Sequence, residues 1–371
     1  MRRHPAILLV CSVLAACGSA STSDPGPSGP TLRSLAEGRI LIGTAAALSP
    51  LQSDPAYAAR LTEQYDLVTP ENAMKFDQVE PSRGSFTFTS ADAIVSFAQA
   101  HDMVVRGHCL LWQWQSAWLW NNGNLQPAIT AADLPTILHD HVDTVVRHFK
   151  GKVAYWDVVN EALGNTDSTG TLSVENSLAN NAWTKYYPLA TGEKKYKWIE
   201  DAFNIAHAAD PDAKLFYNEV GDEGLNGWNY RGKYTYALVQ QLLADGVPIH
   251  GVGMQMHIDT NGYPLNDNFA AEVKRFTDLG LEVHITEMDV RLLLPAGDAM
   301  LAAQKATYKS ILTAALANPK VTALVTWGLD DGHSWIPGSG IYPGYGAALP
   351  FDDAYNAKPA YYGLLEALQA P

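Results

Sequence analysis

The chain has 371 residues, enough for one large domain or two ordinary ones. Hydrophobic residues make up 47% and charged residues 17%, a globular composition that excludes a disordered or fibrous chain. The formal net charge is −14, which argues against nucleic acid as a partner and favours a neutral or weakly charged ligand.

The first 17 residues have the pattern of an export signal. Two arginines at positions 2 and 3 precede an apolar run, Ile7 to Leu14, that is too short to span a bilayer. The run ends in LAAC (14–17), which resembles the bacterial lipobox. We therefore expect a lipoprotein signal peptide over residues 1–17 and lipidation of Cys17; an ordinary signal peptide is the alternative. The protein would be exported and lipid-anchored, at the outer membrane or cell surface if the source has two membranes, or else secreted.

Residues 18–30 (GSASTSDPGPSGP) are small, polar and rich in Gly and Pro, as in a flexible linker. From Thr31 onward there is no second linker and no repeat of solenoid length, so residues 31–371 are expected to form one domain. Cys109 lies in an apolar run and is expected to be a buried small residue. No Cys and His spacing predicts a metal site.

Short apolar runs alternate with amphipathic stretches of helical length along this domain. The predicted strands are Ile40–Gly43, Leu67–Thr69, Val104–His108, Ala154–Val159, Lys214–Tyr217, Gly251–Gln255, Glu282–Thr286 and Ala323–Trp327. The predicted helices include Ser90–His101, Leu134–Phe149, Lys194–Ala209, Tyr230–Asp245, Asn266–Leu279 and Ala299–Ala317. This alternation predicts a parallel α/β fold, and eight strands favour a single (β/α)8 TIM barrel over an open doubly wound sheet.

In such a barrel the catalytic groups lie just beyond the C-terminal ends of the strands. Polar or aromatic residues follow seven of the eight predicted strands. They are Glu71, Asn72 and Lys75; His108 and Trp112; Asn160 and Glu161; Asn218 and Glu219; Gln255 and His257; Glu287; and Trp327.

Glu161 and Glu287 follow strands that are three positions apart, so they would face each other across the barrel mouth. Glycoside cleavage needs a proton donor for the leaving oxygen and a second carboxylate at the anomeric carbon. We expect hydrogen-bond donors to keep Glu287 ionised and apolar neighbours to favour the protonated form of Glu161. Strand alternation places His284 on the opposite face from Glu287 and Asp289 on the same face.

Two segments, YWDVVNEA (155–162) and VHITEMDVR (283–291), resemble the acid/base and nucleophile motifs of glycoside hydrolase family 10. The resemblance extends roughly from Leu41 to Leu364. Its further supports are TPENAMKF (69–76), RGHCLLW (106–112), VGMQMHI (252–258), TWGLDDGHSW (326–335) and LPFDDAYNAKPAYYG (349–363). It implies a retaining endo-1,4-β-xylanase that acts on internal bonds of xylan or on xylo-oligosaccharides and needs no cofactor.

The resemblance also implies roles for individual residues. Glu161 would be the acid/base, Glu287 the nucleophile, and Asn160 would hold the 2-hydroxyl of the sugar being cleaved. The other implied substrate-binding residues are Glu71, Asn72, Lys75, His108, Trp112, Gln255, His257, Trp327 and Trp335. Trp114, Trp118 and Trp120 match nothing in the family and are interpreted as core or loop anchors.

Three departures from the family pattern concern the neighbourhood of the acid/base. Gln113 replaces the usual histidine, and residues 218–221 are NEVG instead of Asn-Asp-Tyr-Asn. In the family the tyrosine of that motif would contact the sugar beyond the cut. Here this aromatic contact is expected to be absent or to come from Trp228 or Tyr230. The stretch 164–187 is also longer than usual, so an altered leaving-group preference is expected.

The sequence leaves several alternatives open. The nearest is the same chemistry on another β-1,4-glycan or on short or decorated xylo-oligosaccharides. A non-catalytic xylan-binding lipoprotein is disfavoured because both glutamates and Asn160 are intact. A metal-dependent hydrolase is disfavoured because the His and Asp residues are scattered. We expect a monomer.

Overall fold

The computed structural model describes residues 29–114, 116–164, 173–223, 231–260 and 267–370. Its centre is a closed barrel of eight parallel strands, each paired with the next along the chain, while the last also pairs with the first. The strands are β1 (Leu41–Ala46), β2 (Leu67–Pro70), β3 (Val104–Trp112), β4 (Tyr155–Asn160), β5 (Lys214–Glu219), β6 (Gly251–Met254), β7 (Glu282–Leu293) and β8 (Val321–Thr326). The predicted (β/α)8 barrel is therefore confirmed. Cys17 and most of the predicted linker lie outside the described residues.

At least one helix separates each pair of consecutive strands, and another follows β8. The longer helices are Pro55–Gln64, Thr89–Ala100, Leu134–His148, Lys197–Ala209, Arg231–Ala244, Asp267–Asp278, Asp298–Leu316 and Pro359–Gln369. Shorter ones are Leu32–Ala36, Leu48–Ser53, Phe76–Val79, Val174–Ser177 and Ala182–Tyr186, with 3-10 turns at Ala131–Asp133 and Asp331–His333. None of the helices in the described ranges has the length and apolar character needed to cross a bilayer.

The helices form where the sequence presents one apolar face. In Leu134–His148 the buried residues include Leu134, Leu138 and Val145, which recur at helical spacing. The charged residues occupy the positions between them and lie on the opposite face of the helix. The predicted bounds, Leu134–Phe149, differ from this helix by a single residue.

The seventh strand is longer than its prediction, Glu282–Thr286, because it continues past the barrel as far as Leu293. Its extension pairs with His257–Asp259 on one side and with Tyr345–Gly346 on the other. A further short hairpin joins Trp120–Asn121 to Asn124–Leu125. These additions lie at the C-terminal end of the barrel, where they widen the rim around the site.

A buried polar layer lies inside the barrel below its mouth. Arg106 of β3 forms an ion pair with Asp157 of β4, and both side chains are almost completely buried. Its Nη1 atom also lies 2.6 Å from Nδ1 of His284 on β7. Because charges in the barrel interior need partners, this layer fixes the positions of β3, β4 and β7 relative to one another.

Candidate active site

Glu161 is the first residue after β4, and its backbone turns sharply there. Its φ angle is +53°, in the left-handed region that non-glycine residues seldom adopt. Its N–H donates to the carbonyl of Asn218 at 2.9 Å, which continues the pairing with β5 for one more residue. Such strained backbone recurs at functional sites, where the surrounding structure maintains it.

Three side-chain N–H groups donate to the half-buried carboxylate of Glu161. Trp112 Nε1 and Gln113 Nε2 bind Oε2 at 2.8 and 2.9 Å, and Gln255 Nε2 binds Oε1 at 2.8 Å. The apolar setting expected around Glu161 is therefore wrong, because β3 and the loop after β6 supply donors that the local sequence does not reveal. Gln113 does hydrogen-bond in place of the usual histidine, as expected.

Glu287 is 4% exposed and lies in β7 opposite Glu161. Its Oε1 accepts a bond from Asn218 Nδ2 at 2.7 Å, and its Oε2 lies 3.1 Å from His257 Nε2. Burial by itself would raise the pKa of Glu287, but the bond from His257 and the charge of His108 outweigh it and lower the pKa. This result agrees with the expectation that Glu287 is held ionised.

His257 connects Glu287 to a second carboxylate. Its Nδ1 lies 2.7 Å from Asp289 Oδ2, which also accepts a 2.9 Å bond from Trp335 Nε1. Burial disfavours charge on His257, but Asp289 and Glu287 together raise its pKa well above the usual value. Asp289 thus shares the side of Glu287, as predicted.

The prediction that His284 lies on the opposite face from Glu287 is wrong. His284 reaches Arg106 of β3, and Glu287 reaches Asn218 of β5; neither strand is a neighbour of β7. Both side chains therefore lie in the barrel interior. The reason is an irregularity in the pairing with β8 between Ile285 and Met288, which breaks the strict alternation. The structural role expected for His284 is consistent with its complete burial.

A chain of hydrogen bonds links the two glutamates through three amides. Gln255 Nε2 binds Glu161 Oε1 and also Asn160 Oδ1, the latter at 3.2 Å. Asn218 Nδ2 binds the same Asn160 oxygen at 2.8 Å and then Glu287. Because the Asn160 oxygen accepts both bonds, its amide nitrogen is the group left to donate to a ligand.

Asn218 contacts the carboxylate of Glu287, although the sequence places it only among the strand-end residues and predicts no role for it. Thr286 Oγ1 donates to its Oδ1 at 2.7 Å, so the orientation of the amide is set. The feature of the sequence that points to Asn218 is its position at the end of β5, beside Glu219.

Three of the predicted substrate-binding residues, Glu71, Asn72 and Lys75, meet next to Trp112. Lys75 Nζ donates to Asn72 Oδ1 at 2.8 Å and lies 4.9 Å from the centre of the Trp112 ring. Glu71 lies beside them: burial raises its pKa, and the charge of Lys75 opposes that rise. These groups continue the site outward from Glu161 through Trp112.

His108 and Trp327 lie on the Glu287 side. His108 Nδ1 is 3.0 Å from Asp157 Oδ2 and 4.0 Å from Glu287 Oε1. The Trp327 ring is perpendicular to those of His108 and His257, at 5.1 and 6.3 Å between centres. The structure therefore brings all the predicted substrate-binding residues to one mouth.

The three unassigned tryptophans differ from one another. Trp118 donates to the Glu80 carbonyl at 2.9 Å, and Trp120 packs on Tyr186, so both anchor loops as predicted. Trp114 instead is 69% exposed, and its ring lies 6.3 Å from that of Trp112. The core or loop interpretation is wrong for Trp114, because most of its side chain lies in solvent.

Glu219 occupies the position of the aspartate in the family's Asn-Asp-Tyr-Asn motif. It is completely buried and pairs with Arg231 at 2.9 Å.

Cys109 is buried, as predicted. Trp228 and Tyr230 lie outside the described residues, as does the part of the long loop at 165–172.

Comparisons with known proteins agree with this geometry. Residues 31–367 match the family model described as Glycosyl hydrolase family 10. Endo-1,4-β-xylanase B of Thermotoga neapolitana is 36% identical, over 100% of this chain and 98% of its own length. Native xylanase 10B from Thermotoga maritima has a TM-score of 0.81 at 38% identity, covering 91% of this chain and 98% of that one. Xylanase 10B from Thermotoga petrophila, in complex with xylobiose, has the same TM-score and identity, with 91% and 97% covered. The chain therefore belongs to glycosyl hydrolase family 10.

Proposed function

We propose that this protein is an endo-1,4-β-xylanase that hydrolyses internal bonds of xylan with retention, using Glu287 as nucleophile and Glu161 as acid/base. One observation carries the assignment of roles. The two carboxylates belong to one hydrogen-bonded chain, but Glu287 is buried against a charged histidine whereas Glu161 is half-buried and bound by neutral donors. Family membership and the names of the relatives support the substrate class.

In the first step Glu287 attacks the anomeric carbon, and the bond to the leaving oxygen breaks as Glu161 transfers its proton to that oxygen. The product is a covalent glycosyl–enzyme. His257 and Asn218 hold the attacking carboxylate in place, and the Asn160 amide is oriented to donate to the 2-hydroxyl of the sugar. Such a contact strengthens as positive charge develops in the ring.

In the second step Glu161 removes a proton from water, whose oxygen attacks the anomeric carbon and releases Glu287. The free sugar has the configuration of the substrate, because the carbon has been inverted twice. The donors on Glu161 come from neutral side chains, which can remain bonded while the carboxyl group loses and regains its proton.

The nearest alternative substrate is another β-1,4-glycan. Xylose has no hydroxymethyl group, and Lys75, Trp327 and Trp335 are the residues proposed to crowd the place where that group would sit. Trp335 is held against Asp289 by its N–H, and Trp327 makes edge contacts with the rings of His108 and His257. These fixed positions favour rejection of glucans.

The test is reducing-sugar release by the form starting at Gly18, on xylan, carboxymethylcellulose and mannan, with Glu287→Gln as the inactive control. Activity on xylan alone, lost in the variant, is expected. Comparable activity on cellulose or mannan would support the other-glycan function, and a folded protein that binds xylan without cleaving it would support a binding protein. Retention would be checked by following the anomeric proton of the first product by NMR.

We also propose that the protein is exported, cleaved before Cys17, lipidated there and tethered to the membrane through residues 18–30. The lipobox-like LAAC and the apolar run before it support this proposal. Fractionation of cells that produce the full chain is expected to place it in the membrane fraction, and Cys17→Ser is expected to release it. A soluble wild-type protein would contradict the anchor.

A further inference from the structure

The backbone just after Glu161 is held by a buried ion pair, Glu219 with Arg231. Glu219, the last residue of β5, accepts a bond from the N–H of Leu163 at 3.2 Å on its Oε2 atom. Arg231, at the start of helix Arg231–Ala244, donates from Nη1 to the carbonyl of Leu163 at 2.5 Å. The two ends of the Leu163 backbone are thus bound by the two members of one ion pair, whose own separation is 2.9 Å.

Further bonds fix this pair. Tyr217 Oη donates to Glu219 Oε2 at 2.5 Å, and the N–H of Val220 donates to Oε1 at 3.0 Å. Glu219 is completely buried and Arg231 is 7% exposed. A buried charged group is held rigidly only when hydrogen-bond partners replace the water that it has lost. Each carboxylate oxygen of Glu219 accepts two hydrogen bonds.

The segment from Glu161 to Gly164 is restrained on its other side as well. Ala162 accepts a bond from the N–H of Ala179 at 2.7 Å, and Gly164 donates to the carbonyl of Ser177 at 2.9 Å. Glu161 itself adopts a strained φ of +53°. A strained residue keeps its conformation only where the surrounding structure restrains it from several sides. The Glu219–Arg231 pair supplies two of these restraints, the hydrogen bonds to the N–H and the carbonyl of Leu163.

The pair also interacts with Glu161 through its charge. Burial is the main cause that raises the pKa of Glu219 to about 7; Arg231 and Tyr217 oppose it, and the negative charge of Glu161 adds to it. The two carboxylates therefore influence each other although no hydrogen bond joins them.

We propose that the Glu219–Arg231 pair is a positioning element for the acid/base: it clamps Leu163 and thereby fixes the backbone and the carboxylate of Glu161 against the cleft. This inference rests on the proposed role of Glu161.

The test uses Glu219→Gln, which keeps the shape of the side chain but removes its charge and exchanges one acceptor for a donor. Its kcat on xylan is expected to fall by about tenfold to a hundredfold, since small displacements of a catalytic group have effects of this size. With 2,4-dinitrophenyl β-xylobioside, whose leaving group needs little protonation, the burst of dinitrophenol is expected to persist. Added azide is expected to accelerate turnover, because it attacks the glycosyl–enzyme without needing Glu161 as a base.

Two controls complete the design. Glu80→Gln alters another buried carboxylate, which follows helix Phe76–Val79 and binds His141 at 2.8 Å, and is expected to show no azide effect. Glu161→Ala is expected to show the largest azide effect of all. If Glu161→Ala lacks it, the proposed role of Glu161 fails; if Glu161→Ala shows it and Glu219→Gln does not, the clamp alone fails.

Arg231→Lys serves as the second variant if Glu219→Gln does not fold. The lysine keeps the positive charge but has a single side-chain nitrogen, so it is expected to weaken the hydrogen bond to the Leu163 carbonyl. Azide is then expected to accelerate turnover less than in Glu219→Gln. Wild-type kcat on xylan in either folded variant, or an equal loss on both substrates without an azide effect, would overturn the proposal.

Discussion

The Nε2 atom of His257 lies 3.1 Å from Oε2 of Glu287, while the other ring nitrogen lies 2.7 Å from Asp289. The imidazole is therefore held between two carboxylates, and its charge opposes the effect of burial on Glu287. A nucleophile needs its ionised form, so this histidine sets the lower pH limit at which the site can work.

Replacing His257 by Asn is expected to raise the pKa of Glu287, because burial then acts with less opposition. In the wild type the lowered pKa keeps Glu287 ionised to low pH, and activity is lost as pH falls through that value. The acidic limb of the kcat/KM profile on an aryl xylobioside should therefore move to higher pH in the variant. His139→Gln, at an exposed position, is the matched control; an unmoved limb in His257→Asn would contradict the assignment.

Replacing Arg106 by Met is expected to destabilise the fold strongly. It removes Arg106 from buried Asp157, which then keeps only His108 as a cationic neighbour, and breaking such a buried pair costs about 3–5 kcal/mol in the free energy of unfolding. Urea unfolding followed by circular dichroism measures this change. Lys274→Met removes one member of an exposed pair and should leave the midpoint unchanged. If the free energy of unfolding falls no more in Arg106→Met than in Lys274→Met, the buried polar layer does not stabilise the fold.

Replacing Trp335 by Ala is expected to relax the choice of sugar. The ring, held by its bond to Asp289, is proposed to fill space that a hydroxymethyl group would need. Removal should raise kcat/KM on cello-oligosaccharides relative to xylo-oligosaccharides by about tenfold or more. Trp335→Phe keeps most of the bulk without the N–H group and should retain the preference for xylan. An unchanged ratio in Trp335→Ala would place the determinant elsewhere.

Replacing Trp114 by Ala tests whether this exposed ring contributes to binding. Aromatic faces stack on sugar rings, and Trp114 continues the surface of Trp112, which binds Glu161. The expected result is a KM for long xylo-oligosaccharides that rises by up to about tenfold, with aryl xylobioside unaffected. Tyr362→Ala, at an exposed aromatic on the last helix, should change neither value. Equal KM values for wild type and Trp114→Ala would exclude a sugar contact.

The sequence by itself determined the order of the elements and the position of the two glutamates along the chain. Helix Leu134–His148 could be predicted almost to the residue, since its apolar face repeats every three or four positions within one short segment. Glu161 and Glu287 could be placed at the barrel mouth because each follows an apolar run predicted as a strand, and parallel strands all end at the same side. Such information is local.

The tertiary structure alone decided which side chains meet. Gln255 and Glu161 are separated by 94 residues, and nothing in either segment shows that one amide would donate to the other. The predicted face of His284 is wrong because the irregularity in the pairing of β7 between Ile285 and Met288 changes the alternation for the residues beyond it. Asn218 became part of the site, and Glu219 became a buried partner of Arg231, through contacts between separate strands and helices. Hydrogen bonds and burial depend on distances in space, so the partners of Glu161 and Glu287 could be found only once the barrel had closed.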